Sequence, residues 1–296
     1  MSKNENILCS VIVPTYNDPD GIVITLKSLL NQKTKIKYEI IAVDNNSQIK
    51  LDEILDKHKI KKNKLLRIFF EKKSQSSYAA RNLGIKNAKG DIICFIDSDM
   101  WVDSKYIEDV LSIYKIFNIN KNSPFYLACN VEIVVNKNNI FEKYDKFTGF
   151  NIKEYVKKGN FAPTNCLIIN KETIRNVGVF DGRLESSGDW EFGQRVFSSG
   201  IEQHFSENIT LYHPARNSLK SLLNKKTRIG RGFKKLKLLS KKNTNIFRLI
   251  IPSNPFIFFK KNNKINWKEK CIFYMLNYIF DHLAVIYGYL SYKKNE

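Results

Sequence analysis

Two aspartates one residue apart close an apolar run in Phe-Ile-Asp-Ser-Asp-Met, residues 95–100, and a carboxylate pair at this spacing suits a single hard divalent cation. On an extended chain, side chains at i and i+2 lie on the same side, so Asp97 and Asp99 can converge. A cation held between them would neutralise a diphosphate and act as the Lewis acid that lets a nucleoside diphosphate depart. An Asp-X-Asp triplet is common by chance, and it is its place after a fourth apolar run that gives it weight. The earlier apolar runs also end in polar clusters. Thr15, Tyr16, Asn17 and Asp18 follow the first, and Asp44, Asn45 and Asn46 follow the second. Any one of these aspartates could instead cap the next helix.

The elements that must position these groups alternate along the first hundred residues. Ser-Val-Ile-Val-Pro, Tyr-Glu-Ile-Ile-Ala-Val, Leu-Leu-Arg-Ile-Phe-Phe and Asp-Ile-Ile-Cys-Phe-Ile read as strands, separated by helical patterns at 22–30, 51–59 and 78–87. Short, continuously apolar strands between helices predict an α/β fold with a mainly parallel sheet flanked by helices on both faces. Ligands of such sheets bind outside the carboxyl ends of the strands, where the polar clusters fall. From residue 125 onward the pattern is mixed, with strands expected at 127–135 and 166–169 and a helix at 190–199. This half is expected to supply the acceptor side. Residues 218–242 read as one basic amphipathic helix or two short ones. After Pro252 and Pro255, residues 267–290 form a helix apolar nearly all round, interrupted by Asp281 and His282. That helix could pack on the domain, mediate self-association as a homo-oligomer, or lie in a membrane interface.

At 296 residues and 43% hydrophobic, the chain has room for one large α/β domain with an appendage. No run of 18 or more uncharged apolar residues occurs, and the short apolar run near the N-terminus ends in proline, too soon for a signal peptide. A cytoplasmic protein is expected. Cys9, Cys94, Cys129, Cys166 and Cys271 show no Cys-X-X-Cys spacing and read as reduced core residues rather than zinc ligands or disulfides. The net charge of +20 is segregated, because residues 208–268 hold 16 Lys and Arg and no Asp or Glu, against 33 basic and 29 acidic elsewhere. Such a segment suits peripheral contact with an anionic membrane, a nucleic acid or a phosphate-rich substrate, or is simply a solvated, lysine-rich helix face. No nucleic-acid motif or stacking platform accompanies it, which argues against nucleic acid as a partner.

Four motifs in order carry a resemblance. Ser-Val-Ile-Val-Pro-Thr-Tyr-Asn (10–17), Glu-Ile-Ile-Ala-Val-Asp-Asn-Asn-Ser (39–47), the run from Ala79 to Met100, and Ser-Ser-Gly-Asp-Trp-Glu-Phe-Gly-Gln-Arg (186–195) are similar to the inverting family 2 glycosyltransferases, over roughly residues 7–216. The resemblance implies a GT-A nucleotide-sugar-binding domain over 1–216, with a basic, helical C-terminal extension over 217–296. It implies that Pro14, Tyr16 and Asn17 border the base and ribose of a nucleotide-sugar donor, UDP-linked by default, and that Asp44 holds the base or ribose. Arg81 would approach the diphosphate as a forked, permanently charged donor. Asp97, beside Ser98, would sit near ribose and metal, and Asp99 would ligate the metal, Mn2+ or Mg2+, joined by His213. Arg216 would reach the phosphates.

Members of the family usually carry an adjacent Glu-Asp pair whose Asp is the general base. Aligned on Arg195, this chain has Asp189 at the base position and Gly188 where the Glu often sits, a departure that leaves Glu191 as a second candidate or an acceptor-orienting group. Trp190 could stack on an acceptor sugar or pack a helix N-terminus, and Asn165 resembles an acceptor-side loop residue. The expected activity is transfer of a sugar with inversion to a glycan or lipid-linked acceptor in cell-surface polysaccharide or glycolipid synthesis. The alternative is a catalytically degenerate GT-A-like protein that docks to an anionic membrane or another polyanion.

Overall fold

The computed structural model describes residues 8–117, 123–240 and 265–292. Four strands lead the chain: β1 (Cys9–Thr15), β2 (Tyr38–Asp44), β3 (Leu66–Phe70) and β4 (Ile92–Phe95). They are joined by α1 (Pro19–Leu30), α2 (Leu51–Lys57) and α3 (Ser77–Asn87). Every residue of β1, β2 and β4 is buried, as expected for strands covered on both faces. Asp18 caps α1 by accepting from the Gly21 N–H at 3.1 Å, with Pro19 opening the helix. Ser76 caps α3.

After β4 come β5 (Trp101–Val102), α4 (Tyr106–Phe117), β6 (Tyr126–Val134), α5 (Ile140–Thr148), α6 (Ile152–Gly159), a 3-10 turn (Thr164–Cys166), β7 (Leu167–Asn170), α7 (Lys171–Val177), α8 (Gly188–Ser198) and β8 (Gln203–Pro214). The eight strands form one sheet in the order β3-β2-β1-β4-β7-β6-β8-β5. Pairing is parallel from β3 through β4 and antiparallel between β4 and β7, β7 and β6, and β8 and β5. The sheet is therefore mixed, its parallel half being the expected one. Register places Thr15 opposite Asp44 and Ile12 opposite Phe95, so the polar residues that follow β1, β2 and β4 emerge along one edge.

One carboxylate sits inside this half of the sheet. Glu39 of β2 is 2% exposed and accepts from Arg67 Nη1 of β3 at 2.6 Å, the Lys89 N–H at 2.6 Å and Ser10 Oγ of β1 at 2.7 Å. Burial alone would raise its pKa. The Arg67 pair and the two further hydrogen bonds outweigh that and hold it below the ordinary carboxylate value.

The chain folds into two compact units. The first is residues up to Glu132 with Phe150–Arg183 and Gly188–His213, and the second is Ile133–Gly149, Leu184–Ser187 and Pro214 onward. The second unit thus takes in α5 as well as the segment beyond residue 217. Its core joins Tyr144 and Phe147 of α5 to Leu222 of α9 (Leu219–Ser240), Phe273 and Leu276 of α10 (Trp267–Asn277), and Phe280 of the π-helical turn Tyr278–Ala284 that leads into α11 (Val285–Leu290).

Within this unit α9 and α11 cross on two glycines. A Cβ on Gly230 would lie 2.0 Å from the Val285 carbonyl, and one on Gly288 would lie 2.0 Å from the Thr227 carbonyl. Residues 267–290 are long and apolar enough to cross a membrane by length and composition, yet 44% of their most apolar window is buried against the protein. Residues 241–264 of the basic segment, with Pro252 and Pro255, lie outside the described residues.

Replacing Glu39 by Gln should cost about 2–3 kcal/mol at neutral pH, because Arg67 loses its counter-charge in a buried setting. The folded-state pKa is depressed, so the stabilisation is present above the unfolded carboxylate range and lost as pH falls through the folded value. Urea titrations of wild type and Glu39→Gln should therefore differ at pH 7 and converge in acid.

Candidate active site

The loop after β4 is held at two points to α1 and its N-cap. Thr25 Oγ1 of α1 donates to the Met100 carbonyl at 2.6 Å, and Ser98 Oγ donates to Asp18 Oδ2 at 3.1 Å. Asp18 thus both caps α1 and fixes the Asp97–Asp99 turn. β4 ends at Phe95, so the two aspartates lie on a turn rather than on an extended strand end. They take separate partners. Asp97 Oδ1 pairs with Arg81 Nη2 of α3, and Asp99 Oδ2 lies 3.6 Å from His213 Nε2 of β8.

Arg81 is 3% exposed and its Nε has no hydrogen-bond partner. A buried guanidinium N–H without a protein acceptor is costly, and an anionic oxygen would satisfy it. His213 is also buried, with the Phe150 ring edge-on at 5.9 Å. One carboxylate and one imidazole are donors that suit Mn2+ or Mg2+ and leave most of an octahedral shell to phosphate oxygens and water. Among the described residues no three His, Cys, Asp or Glu side chains gather at one point, so Asp97 enters such a shell only by sharing its carboxylate with Arg81.

The residues expected on the donor side lie at the ends of β1 and β2. Pro14 is buried within β1, and Tyr16 is 51% exposed just beyond it. Asn17 adopts a left-handed backbone, φ 51°, and ties the two turns together: its N–H donates to Ser47 Oγ at 2.9 Å and its Oδ1 accepts from the Gln48 N–H at 2.8 Å. Asp44, 2% exposed, accepts from the Ser47 N–H at 2.9 Å and the Leu51 N–H at 3.3 Å. Its carboxylate shapes the turn that borders a cleft of about 170 Å³ lined by Thr15, Asn17, Asp18, Ser47 and Gln48.

On the other side stands the first turn of α8. Asp189 Oδ1 accepts from the Trp190 N–H at 2.9 Å and from the Tyr78 hydroxyl at 3.3 Å. Burial pushes the Asp189 carboxyl up from its ordinary pKa, more than these two donors and the nearby Arg81 charge pull it down. Glu191 is engaged elsewhere: Arg195 clamps it with Nε to Oε1 at 2.7 Å and Nη2 to Oε2 at 2.9 Å, and the same guanidinium donates to the Val179 carbonyl at 2.8 Å.

Trp190 is half-buried beside Asp189. Asn165, in the 3-10 turn, is 5% exposed with an Oδ1 that lacks a hydrogen-bond partner. Arg216 belongs to the second unit, where its N–H donates at 2.9 Å and its Nη1 at 3.4 Å to the buried Asp145. Two contributors carry no signal of their own in the sequence. Thr25 is an ordinary helix residue, and Tyr78 precedes the Ala-Ala-Arg motif as one more aromatic, marked only by standing three residues before Arg81 on the same helix.

The sequence pattern described as "Glycosyl transferase family 2" matches residues 10–174. The chain belongs to this family. It is 34% identical over 225 residues to the Glycosyltransferase AglE of Haloferax volcanii, covering 75% of this chain and 72% of that one. It is 27% identical to the Chondroitin synthase of Pasteurella multocida, covering 93% of this chain but 32% of that much longer one. Among solved structures, the mannosyltransferase PcManGT of Pyrobaculum calidifontis, in complex with GDP-Man and Mn2+, superimposes with a TM-score of 0.60 at 15% identity over 97% of this chain and 73% of that one. The fold is thus that of the GT-A transferases, and this family 2 chain is a glycosyltransferase with relatives in polysaccharide synthesis.

A carboxyl group whose folded-state pKa is raised opposes folding as pH climbs through that value. Asp189→Asn should therefore be at least as stable as wild type at pH 8, with the difference shrinking toward pH 4, in thermal melts across that range.

Proposed function

We propose that the protein transfers a sugar from a nucleotide-sugar donor to an acceptor hydroxyl with inversion, in one in-line displacement. The observation that carries this reading is the grouping in one unit of Arg81, Asp97, Asp99, His213 and Asp189, whose neighbours leave an unsatisfied buried donor on Arg81 and a carboxyl of raised pKa at Asp189. Residues 1–216 would be the transferase domain and 217–296 its extension.

In this reading Pro14, Tyr16 and Asn17 border the base and ribose, and Asp44 holds the turn against which they sit. Arg81 donates to the diphosphate while Asp97, with Ser98 beside it, faces the ribose and the cation. Asp99 and His213 would hold Mn2+ or Mg2+, which when bound supplies Lewis-acid stabilisation of the departing diphosphate. Asp189 takes the acceptor proton, and its raised pKa makes it a stronger base than an exposed aspartate. The clamp on Glu191 by Arg195 favours Asp189 over Glu191 as base. Trp190 and Asn165 would face the acceptor, and Arg216, which the family resemblance assigns to the phosphates, lies in the second unit paired with Asp145.

UDP-sugars are the first donors to test, given the family resemblance. The acceptor proposed is a glycan or lipid-linked glycan, in line with the chondroitin synthase likeness and with the charge of the C-terminal unit. The protein would work in the cytoplasm, at the cytoplasmic face of a membrane. Lys220 and Arg228 of α9 are exposed, and the helical segment 267–290 exposes Trp267 (70%), Tyr287 (66%) and Leu290 (74%). Cations together with exposed aromatic and aliphatic side chains suit an anionic lipid surface. Lys225 and Lys226 contribute less, since their ammonium groups face Asp145 and Asp281.

Calorimetry with UDP-, GDP- and dTDP-sugars, each with Mn2+ and with EDTA, should show metal-dependent binding of one nucleotide. Asp99→Asn should weaken that binding at least tenfold, whereas Asp189→Asn should bind donor normally and lose transfer. Absence of binding throughout would instead favour a degenerate, surface-docking protein.

Flotation with vesicles containing phosphatidylserine tests the membrane reading separately. Replacing Lys220, Arg228, Lys235 and Lys237 by Gln should release the protein, since each cation near such a surface contributes about 1 kcal/mol. Vesicle binding unchanged by the four substitutions rules that reading out.

A further inference from the structure

The side chain packed against Asp189 from α3 belongs to Tyr78. It is 5% exposed, with Phe180 beside its ring at 5.8 Å between centroids and the Arg81 guanidinium over its face at 5.7 Å. Its hydroxyl makes two contacts to one residue: it donates to Asp189 Oδ1 and accepts from the Asp189 N–H, both at 3.3 Å. A carboxylate gripped at both its backbone and its side chain by the same hydroxyl has little freedom to change rotamer.

The ring occupies space that only glycine leaves open. A Cβ on Gly188 would lie 2.7 Å from Tyr78 Cε2 and 2.8 Å from Cζ. Any side chain at position 188 therefore displaces the ring and draws the hydroxyl off Asp189. The glycine that precedes Asp189 and the tyrosine that faces it are two halves of one arrangement.

We infer that Tyr78 is the positioning residue of the Asp189 carboxylate, with Gly188 making room for it. The inference rests on the proposed role of Asp189 as base. A hydroxyl donor stabilises the ionised carboxylate, so Tyr78 keeps Asp189 ionised at a lower pH than burial would otherwise allow. The other groups facing Asp189 are the Arg81 charge from α3, the Trp190 N–H from its own helix, Tyr126 from β6 and Cys166 from the 3-10 turn. Burial keeps the phenol of Tyr126 and the thiol of Cys166 neutral, so neither supplies a compensating charge.

Tyr78→Phe preserves the ring and its packing and removes only the hydroxyl. In protein labelled with carbon-13 at the aspartate carboxyls, the Asp189 signal is the one missing from Asp189→Asn. Its titration midpoint should rise by roughly one pH unit in Tyr78→Phe, the usual scale for one donor to a charged group. Gly188→Ala, with Tyr78 in place, should raise it in the same direction, and the double variant Gly188→Ala/Tyr78→Phe should raise it no further than Tyr78→Phe alone.

Turnover gives an independent reading, with UDP-N-acetylglucosamine and GDP-mannose in Mn2+ and water as acceptor. For whichever is hydrolysed, kcat of Tyr78→Phe should fall about tenfold with the KM for the nucleotide sugar unchanged, and the acid limb of the kcat profile should move to higher pH. A midpoint in Tyr78→Phe equal to wild type overturns the inference, because a purely structural tyrosine leaves it unmoved, and a wild-type midpoint in Gly188→Ala overturns the role given to the glycine. If Asp189→Asn hydrolyses the donor at the wild-type rate, the base reading fails on its own, while the carboxyl titration still decides whether Tyr78 controls Asp189.

Discussion

Burial of β1, β2 and β4 on both faces is the constraint from which the site follows. A strand with no solvent-facing side carries polar side chains at the expense of stability unless each is paired, as Ser10 is with Glu39 and Glu39 in turn with Arg67. Unpaired chemistry is thereby excluded from the strands and collected where they end. The parallel register then sets those ends side by side, since Thr15 faces Asp44 across the β1–β2 ladder and β4 runs alongside β1 to the Asp97 turn. Thr25 and Asp18 complete the scaffold by fastening that turn to α1.

The same constraint decides which parts were legible in the sequence. Continuous β-branched runs identify β1, β2 and β4 and the parallel half of the sheet, and the polar residues behind them identify Asp97, Asp99 and the Asn17 turn. The antiparallel half was harder to read. β8 spans Gln203–Pro214 with exposed and buried residues mixed, including Glu207 and Asn208, so only its last residues around His213 look like a strand. α5 gave no sign of joining the C-terminal unit. Its Tyr144 and Phe147 are core residues only because Leu222, Phe273 and Phe280 meet them, a contact between segments more than seventy residues apart. Tyr78 and the Arg195 clamp on Glu191 were illegible for the same reason, as each acquires its meaning from a partner that the fold supplies.

Among the described residues of the first unit, Arg81 is the buried Lys or Arg, and the charges of the site gather about it. Arg81 pairs directly with Asp97, acts on the nearby Asp189, and keeps one donor nitrogen without an acceptor. A diphosphate would supply that acceptor, and phosphate oxygens would fill the positions that Asp99 and His213 leave open around a divalent ion. Arg81, Asp97 with Asp99, and His213 come from three elements: α3, the turn after β4, and β8. Losing the register of any one of these elements would separate the charges, which is why the site needs the whole sheet and not only its parallel half.

Arg81 and Asp189 lie close enough for the arginine charge to lower the pKa of the carboxyl, and this coupling opposes the burial that raises it. A base must be ionised before the reaction yet keep enough proton affinity to take the acceptor proton during it. Burial alone would favour the neutral acid, while an unshielded arginine would hold the carboxylate ionised but weakly basic. Tyr78 stands between these two limits, since its ring lies under the guanidinium and its hydroxyl touches the carboxylate. Diphosphate binding would then neutralise part of the Arg81 charge and let the Asp189 pKa rise. In the proposed role of Asp189 as base, the carboxylate would gain proton affinity in the complex with donor, at the stage where the acceptor hydroxyl must lose its proton.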